Sequence, residues 1–226
     1  MEDDLLYIPD VIPIFPLPGV VLFPHMLVPM HIYEPRYREM VADTLIGARV
    51  FAIALLKPGW EPLYETPRAP IYKTVGVGQI METQQLDDGN YNLLLRGLGR
   101  ATIIGEQTDR SYRQAQVELV QTFCSADEKK AGTLRSRLFS AIRNNPALEP
   151  ELRKNWLKLK KADLDLDALA DLVAAGTPVE AELRQCLLEE PDAVARADLL
   201  ISQLQTLEAV TRTHLRIPEP DEYHFN

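Results

Sequence analysis

The sequence predicts an α+β fold with a β-rich first half and an all-helical second half. Up to about Val120, apolar residues occur in short strand-like runs separated by Gly, Pro and Asp turn signals. Beyond Ser125, the apolar residues recur at helical spacing. We therefore expect a small β-barrel or strongly bent sheet over residues 1–122, a helical bundle over 123–215 and an extended tail over 216–226.

The first half opens with a segment rich in proline and apolar residues, from Pro13 to Arg38. It reads PIFPLPGVVLFPHMLVPMHIYEPRYR. Because proline fixes φ and lacks an N–H donor, this composition predicts short extended pieces joined by turns. It argues against a long helix or a regular central strand. Proline at a first helical position then predicts a helix from Pro35 to about Leu45.

Strand signals fill the rest of the first half. The continuous apolar run at 50–56 is typical of a strand buried on both faces. Asp87-Asp-Gly-Asn90 is a hairpin signal. Two Gly-x-Gly fragments, at 76–78 and 97–99, predict turns or bulges, because no helix follows them to form a nucleotide site. The other strand-like segments are 71–75, 80–84, 91–96, 100–104 and 113–120.

Four or five short helices are expected in the second half. Ser125-Ala-Asp-Glu128 matches a capping box at the start of the first of them. Apolar stripes of the width that a bundle core needs follow along the chain. They lie at 134–142, 152–159, 166–173, 183–187 and 194–207.

Three parts of the opening segment together resemble the amino-terminal, substrate-recognition domain of Lon proteases. The parts are Ile12 to Pro16, Val21 to Pro24, and Met30 to Tyr37, which ends on Glu-Pro-Arg-Tyr. Further matches lie at 91–100, 112–118, 169–173 and 184–189, so that the resemblance covers about residues 10 to 210. It implies a PUA-like β-rich lobe with one or two helices, followed by an all-α helical lobe.

Composition narrows the class of partner and the compartment. The chain has 226 residues, 46% apolar and 25% charged residues, and a net charge of −9. An acidic chain is poorly suited to general nucleic-acid binding, which requires a surplus of Lys and Arg. The start, MEDDLLYIPD, lacks the features of a signal peptide, and no apolar run is long enough to span a bilayer. We expect a soluble cytoplasmic protein that binds neither nucleic acid nor membrane, and the sequence leaves its oligomeric state open.

The sequence contains no recognisable catalytic or metal-binding set. It has no phosphate loop of the GxxxxGK[ST] type, and its serines lie in capping or helical contexts. His25, His31 and Glu34 lack the additional ligands of a tetrahedral site. Cys124 and Cys186 are expected to be small packing residues. Full Lon proteases continue into an ATPase and a Ser–Lys peptidase module, and we expect this chain to be a stand-alone, non-catalytic member without a cofactor.

Two groups of residues are candidates for function. In the first group, methionines and aromatic residues are suited to varied partners, although core burial is the alternative for each. This predicted polypeptide-binding group consists of Phe23, Met26, Met30 and Tyr33. The second group is expected to be mainly structural. Its alternatives are direct partner contact for the Glu-Pro-Arg-Tyr motif and binding of an acidic partner for the two arginines after it. It consists of Glu34, Pro35, Arg36, Tyr37, Arg96 and Arg100.

The leading functional hypothesis is binding of unfolded or extended polypeptide, or of a protein partner, in protein quality control or as a protease adaptor. The resemblance to Lon suggests this role, and an apolar seam between the lobes or an open strand edge would provide the surface. RNA binding through the PUA-like lobe is one alternative. An unrecognised hydrolase is another.

Overall fold

The computed structural model divides the chain into two compact units. The first contains Met1–Thr122 and Val179–Pro191, and the second contains Phe123–Pro178 and Asp192–Asn226. Among the described residues, all strands lie in the first unit and the second unit contains helices, so the predicted α+β class is confirmed. The structure describes residues 8–107, 109–143, 145–148, 154–155, 158, 160–162 and 164–214.

Six strands form one mixed sheet in the first unit. They are β1 Val11–Leu17, β2 Leu27–Ile32, β3 Val50–Leu55, β4 Thr74–Gln85, β5 Tyr91–Gln107 and β6 Arg113–Leu119. Their order is β2-β5-β4-β3-β1-β6, and a further pairing of β5 with β6 closes five of them into a ring. β1 and β3 are parallel, and the other pairs are antiparallel. Among the described strands, β2 pairs with β5 alone and is therefore an edge strand.

Strand β1 is paired on both sides, so the expectation that the proline-rich segment contains no regular central strand is wrong. Residues 11–14 pair with β6, whereas residues 14–17 pair with β3. Pro13 and Pro16 therefore each lie opposite one neighbouring strand rather than two. This offset limits the number of ladder hydrogen bonds that the missing N–H groups can remove.

The two Gly-x-Gly fragments lie inside long strands, where they produce a bulge and a close crossing rather than turns. Gly78 pairs with Gly97 and Val77 with Gly99, which leaves Leu98 as the extra residue of a bulge. The segment before β2 crosses the sheet at this point. A Cβ on Gly97 would lie 1.9 Å from the carbonyl oxygen of Phe23, so only glycine permits the crossing.

Helix α1, Pro35–Ile46, packs against the sheet and begins with proline at its first turn, as predicted. It buries Tyr37, Met40 and Val41 in an apolar cluster that also contains side chains from β1, β3, β4 and β5. All six residues of β3 are buried, as its continuous apolar run predicts. This apolar cluster fixes α1 and the inward-facing side chains of β2 against the sheet.

The structure gives the bounds of four further α-helices in the described part of the chain. They are α2 Glu128–Arg143, α3 Leu166–Gly176, α4 Ala181–Glu189 and α5 Ala193–His214. The stripe at 152–159 and the tail at 216–226 fall largely or wholly outside the described residues. In the part of the chain that the structure describes, no helix is both long and apolar enough to cross a membrane.

Helix α4 belongs to the first unit, which corrects the expectation that 123–215 forms a single helical lobe. Gln185 is buried, and its side-chain amide donates a 2.9 Å hydrogen bond to the carbonyl oxygen of Thr74 in β4. Arg184 donates a 3.0 Å hydrogen bond to the carbonyl oxygen of Gly19. Polar contacts with the first unit therefore fix the position of α4. The apolar pattern of this helix in the sequence does not predict these contacts.

The second unit packs α2 and α3 against α5. The capping box predicted at its start is wrong, because the hydroxyl of Ser125 donates to the carboxylate of Asp192 at 2.6 Å. Asp127 caps α2 instead and accepts a 2.8 Å hydrogen bond from the N–H of Lys130. The apolar core of this unit includes Leu134, Leu138, Leu169, Val173, Leu200 and Leu204.

Candidate functional site

The exposed side of strands β2, β5 and β4 is the most distinctive surface of the first unit. Side chains alternate along β2, so that Val28, Met30 and Ile32 point to the core while the intervening residues are exposed. The register continues this alternation across the two neighbouring strands. We call this surface the β2 face, and its residues are Leu27, Pro29, His31, Gln79, Met81, Glu82, Gln84, Asn92, Leu94 and Arg96.

Apolar side chains occupy the middle of the β2 face. Leu27 is 57% exposed and Met81 is 43% exposed. Pro29 is exposed and lies directly opposite the half-buried Leu94. Single exposed apolar residues are ordinary on protein surfaces, but these four lie on three adjacent strands. Their adjacency makes this an apolar strip beside an edge strand.

The edge of β2 has backbone groups that could pair with another chain. The N–H of Gly97 donates to the carbonyl oxygen of Met26 at 2.8 Å, which fixes the alternation of the ladder between β2 and β5. In that alternation, the N–H groups of Leu27 and His31 point away from β5. Pro29 lies between them and has no N–H, which is a common way to limit uncontrolled edge pairing.

The structure places the four residues of the predicted polypeptide-binding group in different environments. Phe23 is fully buried, with 0% exposure, so its side chain is not available to a partner. Met26 and Met30 are half-buried and pack against the core of the first unit. Tyr33 is 63% exposed and follows directly after β2. Core burial, the alternative considered for each of these residues, is thus complete for Phe23 and partial for the two methionines.

Sequence reasoning missed Leu27, Pro29, Met81 and Leu94. The segment Leu27–Ile32 is apolar at almost every position, so the sequence did not indicate which of its side chains are exposed. Met81 carried no such indication either, because it lies at an irregularity of the ladder between Ile80 and Glu82.

The Glu-Pro-Arg-Tyr motif fixes the loop after β3 to the start of α1. Arg36 donates to the Glu34 carboxylate at 2.9 and 3.1 Å and to the carbonyl oxygen of Tyr64 at 2.9 Å. The hydroxyl of Tyr64 donates to the other oxygen of Glu34 at 2.8 Å. Glu34 occupies the N-cap position of α1 but makes no side-chain capping bond.

Aromatic rings complete this cluster. The guanidinium of Arg36 lies 4.5 Å from the ring centre of Tyr37 and 4.9 Å from that of Tyr64. Burial, the hydrogen bond to Glu34 and the charge of that carboxylate raise the pKa of Tyr64 to about 12. The phenol therefore stays protonated and remains a donor at neutral pH. Tyr37 is buried against Phe15, with ring centres 4.3 Å apart.

The two arginines of β5 differ in accessibility. Arg100 is only 2% exposed, so it is not placed to meet an external partner. Arg96 is exposed on the β2 face, and its side chain donates a 3.3 Å hydrogen bond to the amide oxygen of Gln79. Of the two residues considered for contact with an acidic partner, only Arg96 is accessible.

The described histidines and cysteines form no metal site. The ring nitrogen Nδ1 of His31 lies 2.8 Å from the side-chain oxygen of Asn92, and the His31 ring stacks on Tyr33. Within the described residues, no three His, Cys, Asp or Glu side chains are grouped to hold a metal ion. Cys124 and Cys186 are both exposed, so the expectation that they are packing residues is wrong.

Comparison with known proteins identifies the family. A family model described as the ATP-dependent protease La (LON) substrate-binding domain matches residues 11–206. The chain therefore belongs to the LON substrate-binding domain family. This finding confirms the resemblance on which the sequence-based assignment rested.

Curated relatives are named as Lon proteases. Lon protease 2 of Myxococcus xanthus is 28% identical over 198 residues, which are 87% of this chain and 24% of that protein. Lon protease of Dictyoglomus thermophilum is 25% identical over 209 residues, or 91% of this chain and 26% of that protein. The chain thus spans about a quarter of the length of these relatives.

Solved structures share the fold. The N-terminal domain of the Mycobacterium avium complex Lon protease has a TM-score of 0.65 at 18% identity, with 86% of this chain and 98% of that chain covered. A Lon N-terminal domain protein from Xanthomonas campestris has a TM-score of 0.58 at 21% identity, with 85% and 97% covered. The α+β architecture is therefore that of Lon amino-terminal domains.

Proposed function

We propose that this protein binds extended or unfolded polypeptide segments on the β2 face. The observation that carries the proposal is an edge strand whose outward backbone groups lie beside an adjacent apolar strip. An extended chain can pair with such an edge through its backbone, while its alternate side chains cover the strip. Membership of a substrate-binding domain family supports a binding role.

The composition of the β2 face supports binding of varied sequences. Main-chain hydrogen bonds do not depend on the side chains of the ligand. Met81 has a flexible, polarizable side chain that adapts to different neighbours, and the half-buried Met30 lies on the opposite side of β2. Pro29 interrupts the row of outward N–H groups, which favours short and reversible contacts over a long added strand.

We place this activity in protein quality control, either as substrate recognition or as an adaptor that supplies polypeptide to a protease. The names of the relatives support a link to proteolysis. The role requires backbone and apolar contacts and no catalytic side chain. Two exposed free cysteines favour a reducing compartment such as the cytoplasm.

Fluorescence anisotropy with a labelled, reduced and alkylated polypeptide tests the proposal. We expect saturable binding to the wild-type protein. Leu27→Asp should weaken it roughly fivefold to tenfold, because the variant removes an apolar contact worth about 1 to 1.4 kcal/mol. Ile46→Asp is the matched control, since Ile46 is 89% exposed at the end of α1 and lies outside the β2 face.

Two results would overturn the proposal. The first is the absence of saturable binding at high micromolar concentrations of wild-type protein. The second is equal affinity of the Leu27→Asp and Ile46→Asp variants, which would show that the polypeptide binds elsewhere.

A further inference from the structure

We propose that Arg96 makes the β2 face selective for extended segments that carry a carboxylate two positions from an apolar side chain. This inference rests on the proposed function, because it specifies the ligand class of the same surface. It follows from the position of the Arg96 guanidinium, from its contacts and from the charge of the neighbouring row.

Arg96 adjoins the apolar strip directly. It pairs with Leu27 in the register of β2 and β5, and directly opposed side chains in an antiparallel pair have Cβ atoms about 5 Å apart. On its other side it pairs with Gln79 of β4. A side chain of a bound segment that covers the apolar strip in this row would lie over Leu27 and within reach of the long Arg96 side chain.

Arg96 differs in its contacts from three of the other arginines of the first unit. Arg36, Arg110 and Arg113 form ion pairs with carboxylates of the protein itself. Arg96 instead donates to a neutral amide, and no described carboxylate lies within ion-pair distance of it. A guanidinium has five N–H donors, so Arg96 can offer a bidentate site to a carboxylate of a ligand.

The next row along the strands fixes where that carboxylate lies. Leu94 pairs with Pro29 on one side and with Glu82 on the other. Glu82 is exposed and would repel an acidic side chain in this row, whereas the apolar side chains beside it favour an apolar residue. Successive rows on one face are two residues apart along a strand. The preferred pattern is therefore an apolar residue, any residue and an acidic residue, in either direction.

Labelled peptides that differ at a single position test the inference. They have the apolar-x-Glu pattern, or the same sequence with Gln or Lys in place of Glu. We expect the wild-type protein to bind the Glu peptide roughly threefold to fivefold more tightly than the Gln peptide, with a difference that shrinks at high salt. The Lys peptide should bind most weakly.

Variants assign the selectivity to Arg96. Arg96→Gln should abolish the difference in affinity between the Glu and Gln peptides. Arg96→Lys should keep part of the preference, because a point charge replaces a bidentate donor. Arg68→Gln is the matched control, since Arg68 is an exposed arginine of the same unit in the segment between β3 and β4 and should leave the preference unchanged.

The outcomes separate the two proposals. If no peptide binds, the proposed function fails. If the Glu and Gln peptides bind equally to the wild-type protein, or if the preference survives in Arg96→Gln, the selectivity inference is overturned while polypeptide binding stands.

Discussion

At the residue scale, the crossing of the proline-rich segment over the sheet depends on glycines that have no room for a side chain. The Cβ of an alanine at Gly97 would lie 1.9 Å from a backbone oxygen, and one at Gly76 would lie 2.0 Å from the oxygen of Leu22. Both glycines lie in paired strands, whose backbone cannot move away as a flexible side chain can. The position of β2, and with it the β2 face, is set by these contacts.

Gly97→Ala should therefore destabilise the first unit by about 2 to 4 kcal/mol, whereas Gly99→Ala should change its stability by less than about 1 kcal/mol. The control is closely matched, because Gly99 lies in the same strand and an added Cβ there meets nothing within 4 Å. Urea unfolding of both variants measures the difference. Equal stability of the two variants would contradict the crossing as described.

A second residue-scale prediction concerns the pH dependence of stability at Asp192. Its carboxylate accepts hydrogen bonds from the hydroxyl and N–H of Ser125 and from the N–H of Val194, at 2.6, 3.1 and 3.0 Å. Burial acts to raise the pKa of Asp192, but these hydrogen bonds outweigh it and lower the pKa below the usual 3.8. The folded state therefore favours the ionised carboxylate.

Because the folded pKa is the lower one, the contribution of Asp192 is complete above pH 3.8 and is lost as pH falls through the folded value. Asp192→Asn should reduce the stability of the second unit by about 1 kcal/mol at neutral pH. The difference in stability between Asp192→Asn and the wild-type protein should disappear at acidic pH. Thermal unfolding from pH 7 to pH 2 measures it, with the exposed Asp198→Asn as the control. A gap that is constant with pH would contradict this account.

At the element scale, the spacing of apolar residues along the sequence predicted most of the strands and helices. It did not predict which elements pack against one another. The run at 50–56 became the fully buried β3, and the helix from Pro35 formed as expected. The grouping of α4 with the sheet was missed, because it depends on a side-chain hydrogen bond from Gln185 to a strand more than 100 residues earlier. No local pattern encodes such a contact.

The β2 face illustrates the same limit for a functional surface. The six residues of β2 are nearly all apolar, so their alternation between core and exposed positions could not be read from the sequence, and Tyr33, a candidate contact residue, lies exposed directly after the strand. The register that brings Leu94 and Arg96 beside β2 depends on the pairing of strands more than 60 residues apart in the sequence. Phe23 was misplaced for a related reason, since the crossing that buries it depends on distant glycines.

Helices α3 and α5 are joined by a buried ion cluster, which gives a prediction for the second unit. Arg196 is fully buried and pairs with Asp167 and, at 3.2 Å, with the buried Asp171. Arg196→Met should destabilise the unit by about 3 to 5 kcal/mol, because a buried carboxylate loses its cation.

Adding Asp171→Leu to Arg196→Met should recover part of this loss, since the uncompensated charge is then removed. Chemical denaturation of the single and double variants tests the cluster. A double variant that is less stable than Arg196→Met alone would show that packing, rather than charge, dominates at this position.

At the scale of the whole molecule, the net charge of −9 separates polypeptide binding from the RNA-binding alternative. Neutralisation of phosphates requires a basic surface, and the strongest electrostatic attraction occurs at low salt. We expect no retention of single-stranded or hairpin RNA in a filter-binding assay at low ionic strength. Retention that falls steeply with added salt would favour the RNA alternative instead.

The central claim is that unfolded polypeptide binds on the β2 face, and site-specific photocrosslinking tests it most directly. A benzophenone amino acid is placed at Leu27 in one variant and at Ile46 in the other, since both positions are exposed. After irradiation with an unfolded polypeptide, we predict a crosslinked product for Leu27 and none for Ile46. Crosslinking at Ile46 alone, or equally at both positions, would contradict the assignment of the β2 face as the binding surface.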